Sequence, residues 1–212
     1  MHSLRRYTNI PSLLHILQSR QITLLDPGKW DDSNDSDGME VYRQQKKLQS
    51  VLALCFTETD ETYHHWHVFA EGAGGACIVF DKDKLLDAFN ASGVSHSSVK
   101  YKKLEALKEQ VLSLDEMPFT KRWGFRHEKE FRAIYESQTN KLSSYEVNIG
   151  LDVITRILLS PWLHKSLHQT TKAVLRSVKG CEKLQVRPST LTGNLTWKQA
   201  FKDAAIQASR NR

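Results

Sequence analysis

The chain has 212 residues, 40% of them apolar and 25% charged, with 30 Lys plus Arg against 24 Asp plus Glu for a net charge of +6. That length supports one domain with a sizeable core, no stretch approaches the ~18 consecutive apolar residues of a membrane helix, and the modest basic excess permits an anionic partner without demanding one. Cys55, Cys77 and Cys181 are scattered and odd in number; they lack metal-ligand spacing and do not suggest a disulfide framework. The opening MHSLRRYTNI has no signal-type apolar stretch, so the expected location is cytoplasmic.

Residues 3–8 are expected to form a short strand. NIPSLLHILQSRQ places Leu13, Leu14, Ile16 and Leu17 at helical spacing, with Pro11 near the entry. ITLL is a buried strand, stopped by the turn-rich loop DPGKWDDSNDSDG. MEVYRQQKKLQ follows as a helix and VLALCFT as a strand ending at Thr57. YHHWHVFAEGAGG is a helix ended by glycines, ACIVF a strand, KDKLLDAFNA a helix and SVKYKK a strand. LEALKEQVLSLD and MPFTKRWG read as helix or loop. EFRAIYE, SYEVNIG and ITRILLS are strands, LHKSLHQTTKAVLRSVK a helix, LQVRPSTL a last strand and TWKQAFKDAAIQASRNR a basic C-terminal helix. Many short strands without regular βα alternation predict a single α+β domain over 1–212, with split, mostly antiparallel sheets and helices packed outside.

The segment HEKEFRAIY carries the main candidates for chemistry. On an extended strand Glu128, Glu130 and Arg132 point to one face and Phe131 and Ala133 to the other. Such a polar row is either a solvated sheet edge or the lining of a cleft. Two carboxylates about 6–7 Å apart on one strand face can serve two atoms of one reaction. Histidines are weaker candidates. Neighbours in HHWH point to different sides of a helix, and His164 and His168 lack the intervening Glu of a metalloprotease helix. WDDSNDSDG has a calcium-loop composition but no Glu at the twelfth position. No metal site is therefore expected.

Three blocks, in order, resemble known families. RRYTNIPSLLHILQSRQITL is similar to the first strand and helix of ADP-ribosyltransferase-fold proteins, with Arg6 and Thr8 as the paired positions on the strand. LCFTETDETYHHWHVFAEGAGGACIVFD resembles an uncharacterised bacterial domain family in which a Cys-Phe-Ser/Thr strand precedes a Trp-bearing helix. KRWGFRHEKEFRAIY resembles the Glu-x-Glu-aromatic-Arg strand of that same family. The resemblance implies an ADP-ribosyltransferase-like fold that binds NAD as substrate and needs no metal. By the same resemblance, Arg6 and Thr8 hold the dinucleotide, Thr57 supports the site, Glu130 stabilises the ribosyl centre and Glu128 serves the acceptor. Trp66 is carried along as a cofactor-side candidate, although Trp66 and Phe69, three apart on a helix, equally suit a core. CFTETD departs from the Ser-Thr-Ser of the better-known branch, and no Gly-x-Gly-x-x-Gly is present.

Members of that fold include nucleic-acid-modifying toxins of phage defence. The implied partner is therefore a nucleic acid, single-stranded and RNA by preference, or a protein acceptor, with an antitoxin as a further partner. The basic segment VKYKK and the basic C-terminal helix fit a nucleic acid. Two alternatives belong to other classes: a catalytically inactive nucleotide- or nucleic-acid-binding module, and a metal-dependent nuclease using the acidic loop with Glu128 and Glu130.

Overall fold

The computed structural model describes residues 3–109 and 111–210. Gln110, inside one expected helix, and Asn211 and Arg212, at the end of another, lie outside the described residues. The chain runs β1 (Ser3–Asn9), α1 (Ile10–Ser19), β2 (Gln21–Leu25), α2 (Ser33–Gln45), β3 (Ser50–Thr57), α3 (Tyr63–Phe69), β4 (Gly75–Asp81), α4 (Lys82–Ala91), β5 (Ser95–Ser98), β6 (Lys100–Lys102), α5 (Leu104–Glu109), β7 (Thr120–Arg122), β8 (Glu130–Ser137), β9 (Ser144–Asn148), β10 (Ile154–Leu159), α6 (Lys165–Ser177), β11 (Val186–Pro188) and α7 (Leu195–Arg210). This is an α+β fold: a mainly antiparallel nine-stranded sheet with helices around it, and a small parallel pair of β6 and β7 beside it. Among the described residues no helix is long and apolar enough to cross a membrane.

The sheet is split. One part is β11-β10-β4-β1, and a second is β3-β8-β5. β3 is paired with β8 from Ser50↔Ser137 to Thr57↔Glu130. On its other edge it meets β1 at Arg5↔Thr57 and β2 at Leu25↔Ala53, one pair each. Between those two points the strands diverge, and the Arg6 guanidinium Nη1 donates across the gap to the Cys55 carbonyl at 3.0 Å.

Three apolar clusters hold the layers together. The largest joins Leu4, Leu13, Leu17, Leu54, Phe56, Phe80 and Phe89, which ties α1 and α4 to one face of the sheet. Each fully buried side chain of this kind contributes roughly 2 kcal/mol. Helix α1 is set by its ends: the Asn9 side chain accepts from the Ser12 N–H at 2.8 Å, and Arg20 closes the last turn in the left-handed conformation. A second cluster fixes α2 to the opposite face through Met39, Tyr42, Val51, Ala53 and Ile134. The third packs Trp66 and Ala70 of the α3 region against Tyr7, Cys77 and Val79. Gly75 is required where this helix returns to β4, since a Cβ there would lie 2.1 Å from the Ala70 carbonyl oxygen.

Three expectations need correction. The loop after β2 is shorter than expected, because Asp32 caps α2 by accepting from the Asn34 N–H and Asp35 in the first turn suits the helix dipole. The helix therefore begins at Ser33, ahead of MEVYRQQKKLQ, and turns Asp35 inward. The polar SHSS forms β5, an unexpected edge strand on β8. Glu128 is not on the strand with Glu130: it ends a 3-10 turn over Trp123–Glu128, and Lys129, with φ of 46°, breaks the extended chain between the two carboxylates.

Candidate functional site

The split opens into a cleft of about 470 Å³, with β1 and β3 as its floor and α2, α3 and the 123–128 turn as its sides. Arg5, Arg6, Cys55, Thr57, Lys121, Glu128 and Glu130 all line it, with Trp30, Val68, Phe69 and Phe125 as its apolar surface. A neighbouring groove of about 330 Å³ lies over α1 and is lined by Arg6, Thr8, His15 and Thr23. Arg6 is common to both spaces.

Glu130 is the most firmly held acid. It is 5% exposed, its Oε1 accepts from Arg132 Nε at 2.7 Å, and its Oε2 accepts from Lys121 Nζ at 3.2 Å. Burial pushes its carboxyl up, but the Arg132 guanidinium and the Lys121 ammonium outweigh burial and hold it at about 2. Arg132, fully buried, also donates from Nη1 to Asp35 Oδ1 and the Pro118 carbonyl and from Nη2 to Asp35 Oδ2. Its donors are thus committed to fixed acceptors, so it orients Glu130 and does not roam the cleft. The Trp30 ring covers the guanidinium at 4.7 Å.

Glu128 is held differently. Its backbone carbonyl accepts from Thr57 Oγ1 at 2.5 Å and from His65 Nε2 at 3.0 Å. Since His65 Nδ1 lies 2.7 Å from Thr62 Oγ1, it accepts there and the ring proton sits on Nε2. Burial lowers the His65 pKa, which favours this neutral form. The Glu128 carboxylate meets Lys121 Nζ at 2.8 Å. Burial raises its pKa, and Lys121 opposes that rise. Lys121 also lies 3.5 Å from Asp35 Oδ2.

The structure therefore brings Glu128, Glu130, Thr57 and Arg6 to one cleft. Both Arg5 and Arg6 line it, although alternation alone admits only one. Arg5 is engaged by the Asp60 carboxylate at 2.7 Å and the Thr59 carbonyl, whereas Arg6 donates from Nη1 to the Cys55 carbonyl. Thr8 lines the neighbouring groove instead. Trp66 is fully buried in the core with its Nε1 donating to Glu61 Oε1 at 2.7 Å, and it does not line the cleft.

Sequence reasoning missed Asp35 and His65 as parts of this site, and did not pair Lys121 with its carboxylates. Asp35 was concealed in a stretch read as loop. His164 and His168 are engaged locally, at Ser166 and at the Leu163 carbonyl. Among the described residues no group of three or more His, Cys, Asp or Glu is arranged to hold a metal ion.

Residues 65–133 match a protein family described as "Protein of unknown function (DUF2971)". The match runs from the Trp66 helix through β4 and both carboxylates into β8. No curated protein matches the chain. Three solved structures of Thermus sp. 2.9 DarT are similar. The complex with carba-NAD+ is 10% identical over 89% of this chain and 95% of that one, with a TM-score of 0.43. The complex with ADP-ribosylated ssDNA is 10% identical over 89% and 94%, TM-score 0.44. The complex with NAD+ is 11% identical over 89% and 95%, TM-score 0.43.

Proposed function

We propose that this chain is an NAD-dependent mono-ADP-ribosyltransferase acting on a macromolecule, with single-stranded nucleic acid as the acceptor class. The observation that carries the reading is Glu130, an ionised carboxylate kept at the bottom of a cleft by Arg132, with Arg6 across from it on β1. When the bond between the ribose C1′ and the nicotinamide nitrogen breaks, its electron pair leaves with nicotinamide and positive charge grows on the ribose. A preorganised, buried carboxylate stabilises that charge where it develops. The Arg6 guanidinium suits the diphosphate. Glu128 takes the proton of the attacking acceptor group as its new bond to C1′ forms, so the products are the ADP-ribosylated acceptor, nicotinamide and one proton.

The acceptor class rests on the rim. Tyr101 and Phe119 are engaged elsewhere: the Tyr101 hydroxyl oxygen accepts from the Glu130 N–H at 2.8 Å, and Phe119 packs against the α2 cluster. Trp123, 45% exposed with the Arg126 guanidinium 5.0 Å over its ring, and the cleft-lining Phe69, 41% exposed, remain available to unpaired bases. The cationic flank is smaller than the sequence implied, because Lys100 pairs with Glu116 and Lys121 with the carboxylates. A smaller cationic flank lowers the attraction for the phosphates of RNA and DNA alike, and leaves single-strandedness as the main feature.

The inactive binding-module reading keeps one specific support: in the free cleft Glu130 is occupied by two cations. Labelled NAD incubated with separate pools of single-stranded DNA, RNA and protein decides between them. The transferase reading expects a nuclease-sensitive, protease-resistant product that needs no added metal. NAD binding without any labelled product favours the binding module, and strand cleavage that depends on a divalent metal favours a nuclease.

A further inference from the structure

Three carboxylates, Asp35, Glu128 and Glu130, converge on two cations, Arg132 and Lys121. The two cations have different mountings. Arg132 belongs to β8 in the main sheet and is fully buried, with donors to Glu130, Asp35 and Pro118. Lys121 belongs to the three-residue β7, which pairs only with β6 among the described strands. Its side chain is 10% exposed and its Nζ lies 4.7 Å over the Phe125 ring. Glu128 has no Arg132 contact: Lys121 is the cation that meets its carboxylate.

We propose that Lys121 is the positioning residue that spans Glu128 and Glu130 and keeps the acceptor-side carboxylate charged, so that the pair can divide its work between donor and acceptor. Two carboxylates this close repel each other, and the buried one with the weaker partner is the one that takes up a proton. Glu130 is secured by Arg132, so without Lys121 the proton goes to Glu128, and a protonated Glu128 cannot accept one from an incoming nucleophile. The other groups facing Glu128 do not replace Lys121. His65 of α3 is engaged as a neutral donor to the backbone carbonyl, and His64 adds a smaller pull in the same direction as Lys121. Asp35 of α2 and Glu130 of β8 are negative. Tyr101 of β6 is kept protonated by burial, with its pKa pushed up to about 12. Thr57 of β3 touches only the Glu128 backbone.

The kinetic half of this proposal rests on the transferase reading; the electrostatic half does not. The full-length protein, labelled with carboxyl-¹³C glutamate, is titrated by NMR as wild type, Lys121→Met and Lys121→Arg, with Glu128→Gln to assign the resonance and His64→Gln to remove the neighbouring imidazole. The Glu128 midpoint is expected to rise by about 1–3 pH units in Lys121→Met and to stay near wild type in Lys121→Arg. The ascending limb of the transfer rate against pH should move up by the same interval in Lys121→Met, with KM for NAD changing much less than kcat. Should Lys121→Met not fold, Lys121→Gln carries the same comparison. An unchanged Glu128 midpoint, or a rate lowered equally at every pH, overturns the proposal. A raised midpoint in a protein whose wild type consumes no NAD retains the role of Lys121 and removes the transferase reading.

Discussion

The floor and the rim of the cleft are built on opposite terms. On the floor, Thr57, Glu130 and Arg132 are at most 5% exposed, and each makes short bonds to fixed partners. At the rim, Val68 is 56% and Phe69 41% exposed, and Trp123, in the turn that forms one side, is 45% exposed. Burying charges is costly unless each is paired, so the floor tolerates only one arrangement. Exposed aromatic and apolar groups cost the folded state little and are free to meet a ligand. The floor thus suits a step that needs one geometry, and the rim suits a partner that arrives from solution.

The sharpest way to break this contrast is Arg132→Leu. It strands Glu130 and Asp35 without their shared cation, and the expected loss is about 3–5 kcal/mol in urea unfolding. A loss below about 1 kcal/mol would mean that the floor network is not what fixes the fold there.

Acid sharpens the same contrast with a sign. The folded Glu130 carboxyl titrates at about 2, below its ordinary value. Between those pH values the unfolded chain binds more protons than the folded one, so stability rises with pH. The contribution of Glu130 is complete above the unfolded pKa and is lost as pH falls toward about 2. Glu128, with a raised pKa, works in the opposite sense: its ionisation costs stability as pH rises through the range above 4.5. Glu130→Gln should therefore flatten the acid limb of thermal unfolding, and Glu128→Gln should leave that limb in place and stabilise the protein at neutral pH. The same slope in wild type and Glu130→Gln contradicts this division.

A smaller effect is expected at β1. Arg5 is already bound to Asp60 and Thr59, whereas Arg6 spans the split and touches both the cleft and the neighbouring groove. Arg6→Ala should weaken NAD binding by about 1.5–3 kcal/mol in titration calorimetry, more than Arg5→Ala. Equal losses would mean that Arg5 leaves Asp60 to share the ligand.

The smallest effect on the protein itself belongs to the rim. Trp123→Ala should change unfolding stability by no more than about 0.5 kcal/mol while weakening single-strand binding by about 1–3 kcal/mol. A stability loss larger than the binding loss would place Trp123 with the floor.

Much of this was legible in the sequence where local rules act alone. Alternation put Glu130 and Arg132 on one face, and the apolar runs of β3, β4 and β8 announced buried strands. The fold class followed from short strands without βα alternation. What was illegible depends on contacts far apart in the chain. Glu128 reaches Glu130 through a left-handed Lys129 and a bridging Lys121, neither of which a two-residue period foresees. Asp35 meets Arg132 only because Asp32 starts α2 early, across 97 positions of sequence. Trp66 shows the limit of composition: the same aromatic helix serves a core or a cleft, and it is the packing of Tyr7 and Cys77 that puts Trp66 inside.

The most direct test of the central claim is the transfer rate of Glu130→Gln with labelled NAD and single-stranded nucleic acid, measured beside wild type at one pH with the fold checked by its unfolding midpoint. Removing the Glu130 carboxylate, which Arg132 and Lys121 hold ionised at the cleft floor, should lower kcat by roughly 10²–10³-fold, with the protein still folded. A folded Glu130→Gln that transfers ADP-ribose within a few-fold of wild type would contradict the assignment of Glu130 to the ribosyl centre.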